Sequence, residues 1–282
     1  MTTVAISIIS TGELDRVEPC LRSIARQTFD GALEVTVVCN GPPDDSTAIR
    51  RVYPEANVIV NALRKGFGEN HDAALARTQA EFCLALNPDV ELQPTCIVEM
   101  ISAMRRYPRA GMIGPLLRYP DGTPQPSARR FPRIAGTIVR RTPLRRIFGA
   151  RMRDARHYLP DPTGDRSVDW LLGACLLVRT QLWRSIGGFD PEFRPLYVED
   201  VDLAWRIWES GWEVWQIPSA EAVHEHQAAT DKVFFDRRTL WHLRGMIRFV
   251  RKHPRILLTG RPRASRLMSS EQASHISVRH PH

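Results

Sequence analysis

The chain has 282 residues, of which 43% are hydrophobic and 25% charged, and these fractions exclude a disordered or collagen-like protein. A length of this order is typical of one large α/β domain or of two small ones. The net charge is +8, which points to phosphate-bearing partners such as nucleic acid, anionic lipid or a nucleotide diphosphate.

Two further features indicate where the protein works. No apolar run reaches the roughly 18 residues that cross a bilayer, and the segment MTTVAISIIS lacks the charged region and cleavage site of a signal peptide. The cysteines are odd in number and never form a CxxC pair, which predicts reduced thiols in a cytoplasmic protein, without a zinc site or a disulfide framework. They are Cys20, Cys39, Cys83, Cys96 and Cys175.

Strand-like and helix-like segments alternate in the first half of the chain. Apolar runs predict strands at 4–10, 34–39, 57–60, 82–86 and 111–115. Helical spacing and capping signals predict helices at 14–27, 44–53, 66–78 and 94–106. Repeated β-α-β units with short connections predict an α/β fold with a mostly parallel sheet and helices on both faces.

Polar residues stand directly after three of the predicted strands. Thr11 follows the first strand, Asn40 ends the second, and Asn87 and Asp89 follow the fourth. Ligands of such sheets bind beyond the carboxyl ends of the strands. The sequence therefore predicts a binding site at this edge of the sheet.

The pattern changes after Arg118. Prolines and arginines dominate up to 166, and ten arginines between 129 and 156 stand against Asp154 alone. Regular structure resumes at Val168, with a helix predicted at 200–210, a strand at 212–217 and a basic helix at 234–251. We therefore expect a main domain at 1–230 with a basic insertion at 129–156, a basic amphipathic helix at 231–258, and a disordered tail at 259–282.

Asp89 follows a buried strand within the segment Leu86–Val90. An aspartate in this position either caps the next turn or binds a divalent cation, and the residues alone leave both functions open. Pro88 stiffens the turn and helps to hold the Asp89 side chain away from the strand end.

Three carboxylates stand at the start of the helix near 200, namely Glu199, Asp200 and Asp202. The positive end of a helix favours anions, so capping explains part of this cluster. Three carboxylates are more than a cap needs, however. Crowded carboxylates raise one another's pKa, as a general base near neutral pH requires.

Two further motifs are weaker. The segment from Gly66 to Ala74 is glycine-rich but lacks the Lys-Ser/Thr of a P-loop, so a turn that allows close helix packing explains it equally well. His224 and His226 form a His-x-His pair, which is either a polar surface turn or part of a metal site begun by a single carboxylate.

These motifs occur in an order that resembles family 2 glycosyltransferases of the GT-A fold, near the bacterial rhamnosyltransferase-like branch. The resemblance runs from about Val4 to about Thr230. The segments that carry it are VAISIIST, CLRSIARQTF, EVTVVCNGPPDDS, KGFGENHDAAL, LNPDV, SARRFPR, DWLLGACLLVR, GGFDPEF and YVEDVDLAWR.

The resemblance implies an inverting transferase that uses a nucleotide-diphosphate sugar and a divalent cation, Mg²⁺ or Mn²⁺. It implies that Asp200 is the catalytic base, that Asp89 is the metal-binding aspartate of the DXD motif, and that His224 is a second metal ligand. The implied donor-binding residues are Thr11, Asn40, Gly66, Asn70 and Asp89, and those on the acceptor side are Trp170, Gly173, Glu199 and Asp202.

The sequence departs from the family pattern at three positions. Cys39 replaces an aspartate that commonly contacts the pyrimidine base, so the choice of base is open. Gly12 stands in place of the usual Tyr-Asn. Asn87 occupies the first DXD position, which leaves Asp89 as the sole carboxylate there and favours a histidine ligand.

The family and the charge distribution together predict the reaction and its location. We expect transfer of a sugar such as rhamnose to a hydroxyl of a polyprenyl-linked precursor of a cell-surface glycan. Arginines mixed with apolar residues at 129–156 and 234–251 predict a peripheral protein on an anionic membrane, at the inner face of the plasma membrane.

Three other functions remain open from the sequence. A sugar nucleotidyltransferase shares the nucleotide-binding architecture, but would need a basic, glycine-rich pyrophosphate loop where Ser10–Glu13 stands. A nucleic-acid-binding module would suit the charge, but the arginines lack interleaved aromatic residues, so no nucleic acid partner is expected. A catalytically silent scaffold would not need both Asp89 and Asp200.

Overall fold

The computed structural model describes residues 1–131, 159–225, 237–259 and 262. Most of the basic insertion predicted at 129–156 lies outside this range, as do His226 and most of the tail predicted at 259–282. Within this range, no helix is both long enough and apolar enough to cross a membrane.

Strands and helices alternate through the first half as predicted, with boundaries that differ by a few residues. The strands are β1 (Thr3–Ser10), β2 (Ala32–Asn40), β3 (Asn57–Asn61), β4 (Phe82–Leu86), β5 (Val90–Leu92), β6 (Ala110–Arg118), β7 (Ala128–Arg129), β8 (Arg166–Ser167), β9 (Trp170–Leu171), β10 (Cys175–Arg179) and β11 (Glu213–His224). The helices are α1 (Leu14–Ala25), α2 (Ser46–Val52), α3 (Phe67–Leu75), α4 (Cys96–Arg106), α5 (Thr180–Ile186), α6 (Glu199–Glu209), α7 (Arg237–Lys252) and α8 (Ile256–Thr259), with a 3-10 turn at Pro191–Phe193.

Most strands form one mixed sheet in the order β3-β2-β1-β4-β10-β6-β11-β5, with β8 paired to β11. Among the described residues, β1, β2, β3, β4, β6 and β11 run in one direction, and β10, β5 and β8 run in the other. The predicted mostly parallel sheet is thus confirmed, but sequence analysis missed the antiparallel strand β10 at its centre.

Apolar side chains cover both faces of this sheet. Along β1, Ile6 and Ile8 belong to one buried cluster and Ala5 to the other, as the alternation of side chains along a strand requires. Helices α1 and α4 contribute residues to the first cluster, whereas α5 and α6 contribute to the second. The α/β architecture with helices on both faces is therefore as predicted.

Strand β11 is longer than the sequence indicates. Pro218 ended the predicted strand at 217, but an irregularity between Ile217 and Glu221 lets pairing with β6 resume. The strand then continues to His224, which pairs in antiparallel register with Val90 of β5. Because β11 extends this far, His224 pairs with Val90, the residue that follows Asp89.

Helix α7 packs onto the domain and does not stand apart from it. Phe249 is fully buried, with its ring 5.6 Å from that of Trp205 in α6. Phe131 belongs to the segment 129–156, whose arginines and apolar residues were expected to face a membrane; it is also buried, and its ring lies 5.0 Å from that of Trp205. These two aromatic residues are therefore part of the core, which corrects their assignment to a membrane-facing surface.

Candidate active site

The polar residues that follow the parallel strands meet at one edge of the sheet, as predicted. Parallel strands end at the same edge, so Ser10, Asn40, Asn61 and the turn after Leu86 lie along it. The antiparallel strand β10 begins at this edge, because Cys175 pairs with Leu86. The segment that leads into β10 therefore also borders the site.

Three asparagines hold the segment that joins β3 to α3. Asn40 accepts a hydrogen bond from the Lys65 backbone N–H at 2.8 Å and donates one to the Lys65 carbonyl at 3.1 Å. Asn61 donates to Asn70 at 2.7 Å, and the Asn70 amide donates to the Gly66 carbonyl at 2.9 Å. Asn40 and Asn70 thus shape the wall of the predicted donor site through buried hydrogen bonds.

Thr11 is exposed at the end of β1, beyond Ser10. Its backbone N–H and its hydroxyl both donate to the Glu13 carboxylate, at 2.8 and 2.7 Å. The Glu13 carboxylate therefore accepts the hydrogen bonds of both Thr11 donors. That arrangement is unlike a phosphate-binding loop, whose backbone N–H groups point at the ligand.

Asp89 and His224 are brought together by the β5–β11 pairing. The His224 Nε2 atom lies 3.3 Å from the Asp89 carboxylate, and His224 Nδ1 lies 2.7 Å from the Gln125 side-chain oxygen. His224 is almost fully buried, whereas Asp89 keeps part of its surface exposed. Sequence analysis missed Gln125, which lies in a segment without regular spacing.

Asp200 is the second residue of α6 and is held by two backbone donors. The Val201 N–H donates to one carboxylate oxygen at 2.8 Å, and the Gly173 N–H donates to the other at 3.1 Å. A side chain at Gly173 would place its Cβ 3.3 Å from the Asp200 Cβ, so this close approach favours glycine. The predicted acceptor-side residue Gly173 therefore contacts the predicted base.

Trp170 lies on the same side of the site. Its ring is buried, its indole N–H donates to the Arg130 carbonyl at 2.9 Å, and the Arg129 guanidinium lies 4.9 Å from the ring centre. This stacking places the positive charge of Arg129 near Asp200. Sequence analysis counted Arg129 only as one member of a basic run.

The carboxyl groups of Glu199 and Asp200, at the start of α6, both have a raised pKa. Burial raises the pKa of Asp200 above its usual range, and the charge of Arg129 partly opposes this. Burial and the neighbouring Asp200 charge raise the pKa of Glu199 further, well above its usual range. Burial therefore disfavours the charged form of both carboxylates, and it does so more strongly for Glu199 than for Asp200.

The residues before this pair have an uncommon backbone conformation. Tyr197 and Val198 both have positive φ, at 84° and 75°. For a β-branched residue this conformation costs on the order of 1–3 kcal/mol, so surrounding contacts must hold it. Gly245 of α7 provides one such contact, since a Cβ there would lie 2.9 Å from both the Tyr197 carbonyl oxygen and the Val198 side chain.

Asp202 lies elsewhere. It is fully buried and accepts hydrogen bonds from Arg206 at 2.7 Å and His253 at 2.8 Å, with Lys252 at 2.9 Å. It has no exposed surface with which to contact an acceptor. The structure thus corrects the acceptor-side prediction for Asp202, whose partners tie α6 to the end of α7.

A short backbone segment joins the two halves of the site. The Gly173 N–H holds Asp200, and the next residue, Ala174, accepts a hydrogen bond from the Asn87 N–H at 2.8 Å. The turn at 173–174 therefore contacts both Asp200 and the segment that carries Asp89. Gly66 closes the site from the donor side, where Glu69 and Arg194 form an ion pair at 3.2 Å.

The five cysteines are all buried and free. Cys39, which stands where the family has an aspartate, has a pKa raised by burial. It therefore remains a neutral thiol and does not replace the missing carboxylate.

Comparison with known proteins identifies relatives over most of the chain. Residues 5–167 match the model of glycosyl transferase family 2. An N-acetylglucosaminyl-diphospho-decaprenol L-rhamnosyltransferase of Mycobacterium tuberculosis (strain ATCC 25618 / H37Rv) is 31% identical over 237 residues, which cover 77% of this chain and 74% of the relative. Rhamnosyltransferase WbbL of Escherichia coli (strain K12) is 25% identical over 262 residues, covering 88% of this chain and 92% of the relative.

Solved structures show the same fold at lower identity. GalNAc-T7, solved with UDP, GalNAc and Mn²⁺, has a TM-score of 0.62 at 12% identity, and the likeness covers 89% of this chain but 48% of that one. The mannosyltransferase PcManGT from Pyrobaculum calidifontis, solved with GDP-Man and Mn²⁺, has a TM-score of 0.59 at 16% identity, covering 99% of this chain and 76% of that one.

Proposed function

Since this chain belongs to glycosyl transferase family 2 and has the GT-A fold, we propose that it transfers rhamnose from a nucleotide-diphosphate donor to a lipid-linked glycan precursor, with inversion. The predicted family, its rhamnosyltransferase-like branch and the predicted fold are confirmed. The chain is accordingly a glycosyltransferase. The donor, the acceptor and the stereochemistry are the proposed part.

The observation that carries the proposal is the pair formed by Glu199 and Asp200. Burial raises the pKa of both adjacent carboxylates, that of Glu199 further than that of Asp200, and Asp200 accepts hydrogen bonds from backbone donors of two segments. A general base must be ionised yet hold a proton well, and a raised pKa gives Asp200 that property. The turn at Gly173 and Ala174 contacts both Asp200 and the backbone of Asn87, two residues before Asp89, and this supports a single reaction centre.

The proposed reaction is one displacement. The acceptor hydroxyl oxygen attacks the anomeric carbon, its proton passes to the Asp200 carboxylate, and the nucleoside diphosphate leaves from the opposite face of the sugar. One displacement inverts the anomeric configuration without a covalent intermediate on the enzyme. Burial raises the pKa of Glu199, so we propose that it takes part as the protonated acid, which can donate a hydrogen bond to a sugar hydroxyl.

Asp89 and His224 fit a divalent cation. The His224 Nδ1 atom faces the Gln125 side-chain oxygen, so Nε2 is the ring nitrogen that faces the Asp89 carboxylate. An imidazole with its only proton on Nδ1 would offer an Nε2 lone pair to a cation held beside that carboxylate. Such a cation, when bound, neutralises the charge that develops on the leaving diphosphate. Among the described residues no group of three candidate ligands occurs, so water and diphosphate oxygens would complete the set.

The acceptor is proposed from the curated relative, whose name specifies a decaprenyl diphosphate carrying N-acetylglucosamine. An acceptor of this kind lies in a bilayer, so we propose that the protein works peripherally at an anionic membrane, on its cytoplasmic face. The basic net charge of the chain supports this location.

The nucleotidyltransferase alternative is less well supported than the transferase. Such an enzyme would bind pyrophosphate at the turn after β1, where the Glu13 carboxylate occupies the Thr11 donors. The same carboxylate would repel a diphosphate placed there.

A donor screen tests the proposed function. The full chain is incubated with Mn²⁺, a polyprenyl-diphosphate N-acetylglucosamine acceptor, and rhamnose or other sugars carried on thymidine, uridine or guanosine diphosphate. We expect nucleoside diphosphate release with one rhamnose donor, product of inverted configuration by NMR, and loss of turnover in chelator. Retention of configuration, or full turnover in chelator, would contradict the mechanism.

A further inference from the structure

Helix α7 carries three large apolar side chains that are about half exposed in the part of the chain that the structure describes. Leu240, Leu243 and Ile247 are exposed by 46%, 49% and 51% of their surface. Their spacing places them on one side of the helix, and we call this set the outer face of α7. Leucine and isoleucine are costly to expose in a row, so such a face indicates a partner.

Basic residues border the outer face. Arg244 and Arg251 are exposed and follow Leu240 and Ile247 by one helical turn. The sequence from Arg237 to Lys252 contains no acidic residue. Arginines beside exposed leucines are complementary to a surface that is apolar below and anionic above, which describes a lipid bilayer with anionic headgroups.

A second copy of this chain suits the outer face less well. Pairing two outer faces would place Arg244 and Arg251 of each copy against those of the other, without an acidic residue of α7 to neutralise them. Nucleic acid would use the arginines but would leave the leucines exposed. The bilayer accommodates both sets.

The opposite side of α7 rests on the segment that leads to the catalytic pair. Gly245 lies against Tyr197 and Val198, whose positive φ angles need support from their surroundings. Arg248 donates to the carbonyls of Glu192 and Arg194, and Lys252 pairs with Asp190. Helix α7 therefore carries the outer face on one side and contacts, on its other side, the residues that position Glu199.

We propose that the outer face of α7 docks on an anionic bilayer and that docking fixes Tyr197 and Val198 in the conformation that presents Glu199 and Asp200. The proposal rests on the proposed function only for the need to meet a lipid-linked acceptor. It adds that membrane contact and catalytic geometry are coupled through one helix.

Vesicle sedimentation of the full chain tests the docking. We expect binding to vesicles of phosphatidylglycerol and phosphatidylcholine, loss of binding at high salt, and no binding to phosphatidylcholine alone. The Leu243→Asp/Ile247→Asp variant should bind at least about tenfold more weakly, since it loses apolar contact and adds repulsion. Leu63→Asp is the matched control, because Leu63 is highly exposed and far along the chain.

Amide hydrogen exchange tests the coupling without any need for activity. Exchange at 197–201 should slow when vesicles are added to the wild type. Gly245→Ala should still bind vesicles, but its Cβ displaces α7 from the Tyr197 carbonyl, so the slowing should be lost. Unchanged exchange in β1 and β4 would show that this variant is folded.

These readouts separate the inference from the proposed function, because a chain that transfers no rhamnose could still show both effects. Equal binding by wild type and the Leu243→Asp/Ile247→Asp variant would overturn the docking. Binding to an RNA duplex in place of vesicles, or an outer-face dimer, would overturn it too. Equal slowing in wild type and Gly245→Ala would overturn the coupling.

Discussion

Glu199 and Asp200 are neighbours in sequence but differ in what surrounds their carboxylates. Asp200 accepts hydrogen bonds from the Val201 and Gly173 backbones, whereas one oxygen of Glu199 is buried without a hydrogen-bond partner among the described residues. Hydrogen bonds to a carboxylate favour its ionised form, and burial without them favours the acid. The two residues therefore suit different tasks.

Replacing the base tests its assignment. Asp200→Asn keeps the side-chain size but removes the ionisable group, so turnover should fall by about 10²–10⁴-fold. Donor affinity, measured by calorimetry, should change little because the donor-side contacts remain. Turnover close to that of the wild type would remove Asp200 from this role, provided that thermal unfolding shows a folded variant.

The pH profile tests the influence of Arg129. A general base works when ionised, so kcat/KM should rise with pH through the pKa of Asp200. Arg129 lowers that pKa, and Arg129→Gln should therefore move the acid limb to higher pH. Arg105→Gln, a change of an exposed arginine on α4, is the control and should leave the limb in place. A limb that stays fixed in Arg129→Gln would contradict the electrostatic role.

His224 can be tested by metal titration. His224→Ala removes one proposed ligand and keeps Asp89, so more Mn²⁺ should be needed for half-maximal activity, by about 10–100-fold. Gln125→Ala, which frees the imidazole to rotate, should shift the titration in the same direction by less. If the Mn²⁺ titration of His224→Ala overlays the wild-type curve, His224 is not a metal ligand and is only a buried side chain.

At the scale of elements, the turn that follows α5 contacts α3, a helix that is distant from it in sequence. Gly188 approaches Asp72 of α3, whose carboxylate accepts a hydrogen bond from the Phe189 N–H at 3.1 Å. Burial raises the pKa of Asp72 to about 7. The segment GGFDPEF is thus fixed to α3 before it turns toward Glu199.

Alanine substitutions at two adjacent glycines of this turn should lower the free energy of unfolding by different amounts. Gly187 and Gly188 both have positive φ, but a Cβ at Gly187 meets nothing within 4 Å, whereas one at Gly188 would lie 1.9 Å from the Asp72 carboxylate. Gly187→Ala should cost about 1–2 kcal/mol in the free energy of unfolding, from the backbone conformation alone. Gly188→Ala should cost about 2–5 kcal/mol, because it adds a steric clash. Equal values in urea unfolding would contradict this contact.

At the scale of the molecule, Asp202 joins α6, the helix of the proposed catalytic pair, to the end of α7. Although burial acts to raise the pKa of Asp202, the hydrogen bond from His253 and the charges of Arg206 and Lys252 lower it below the usual value. A carboxylate with a lowered pKa contributes stability above its unfolded pKa and loses it as the pH falls through the folded value.

Asp202→Asn should therefore destabilise the fold at neutral pH by about 3–5 kcal/mol, because buried cations lose their partner. The difference from wild type should begin to shrink as the pH falls below about 4, the usual pKa of an unfolded aspartate, and should be lost only below the lower pKa that Asp202 has in the folded protein. Glu18→Gln is the matched control: its ion pair with Arg22 is exposed on α1, so about 0–1 kcal/mol is expected. A loss as small as the control's would show that the buried cluster is not a tie between α6 and α7.

The sequence by itself determined the elements and the residues at their ends. Apolar periodicity and turn residues are local, so the strands of the first half and the positions of Asn40, Asp89 and Asp200 follow from them. Asn61 follows the third strand by the same rule and could have been found in the same way. The family resemblance then pointed to the carboxylates.

Only the tertiary structure decided what these residues meet. β10 pairs with β4 and β6, strands that lie far from it in the chain, and this non-local pairing sets Gly173 against Asp200. Asp202 is two residues from Asp200, but the turn of α6 directs it into a buried cluster with His253. Spacing along a sequence gives the direction of a side chain on its helix, whereas the packing of distant segments decides whether that direction leads to a substrate or into the core.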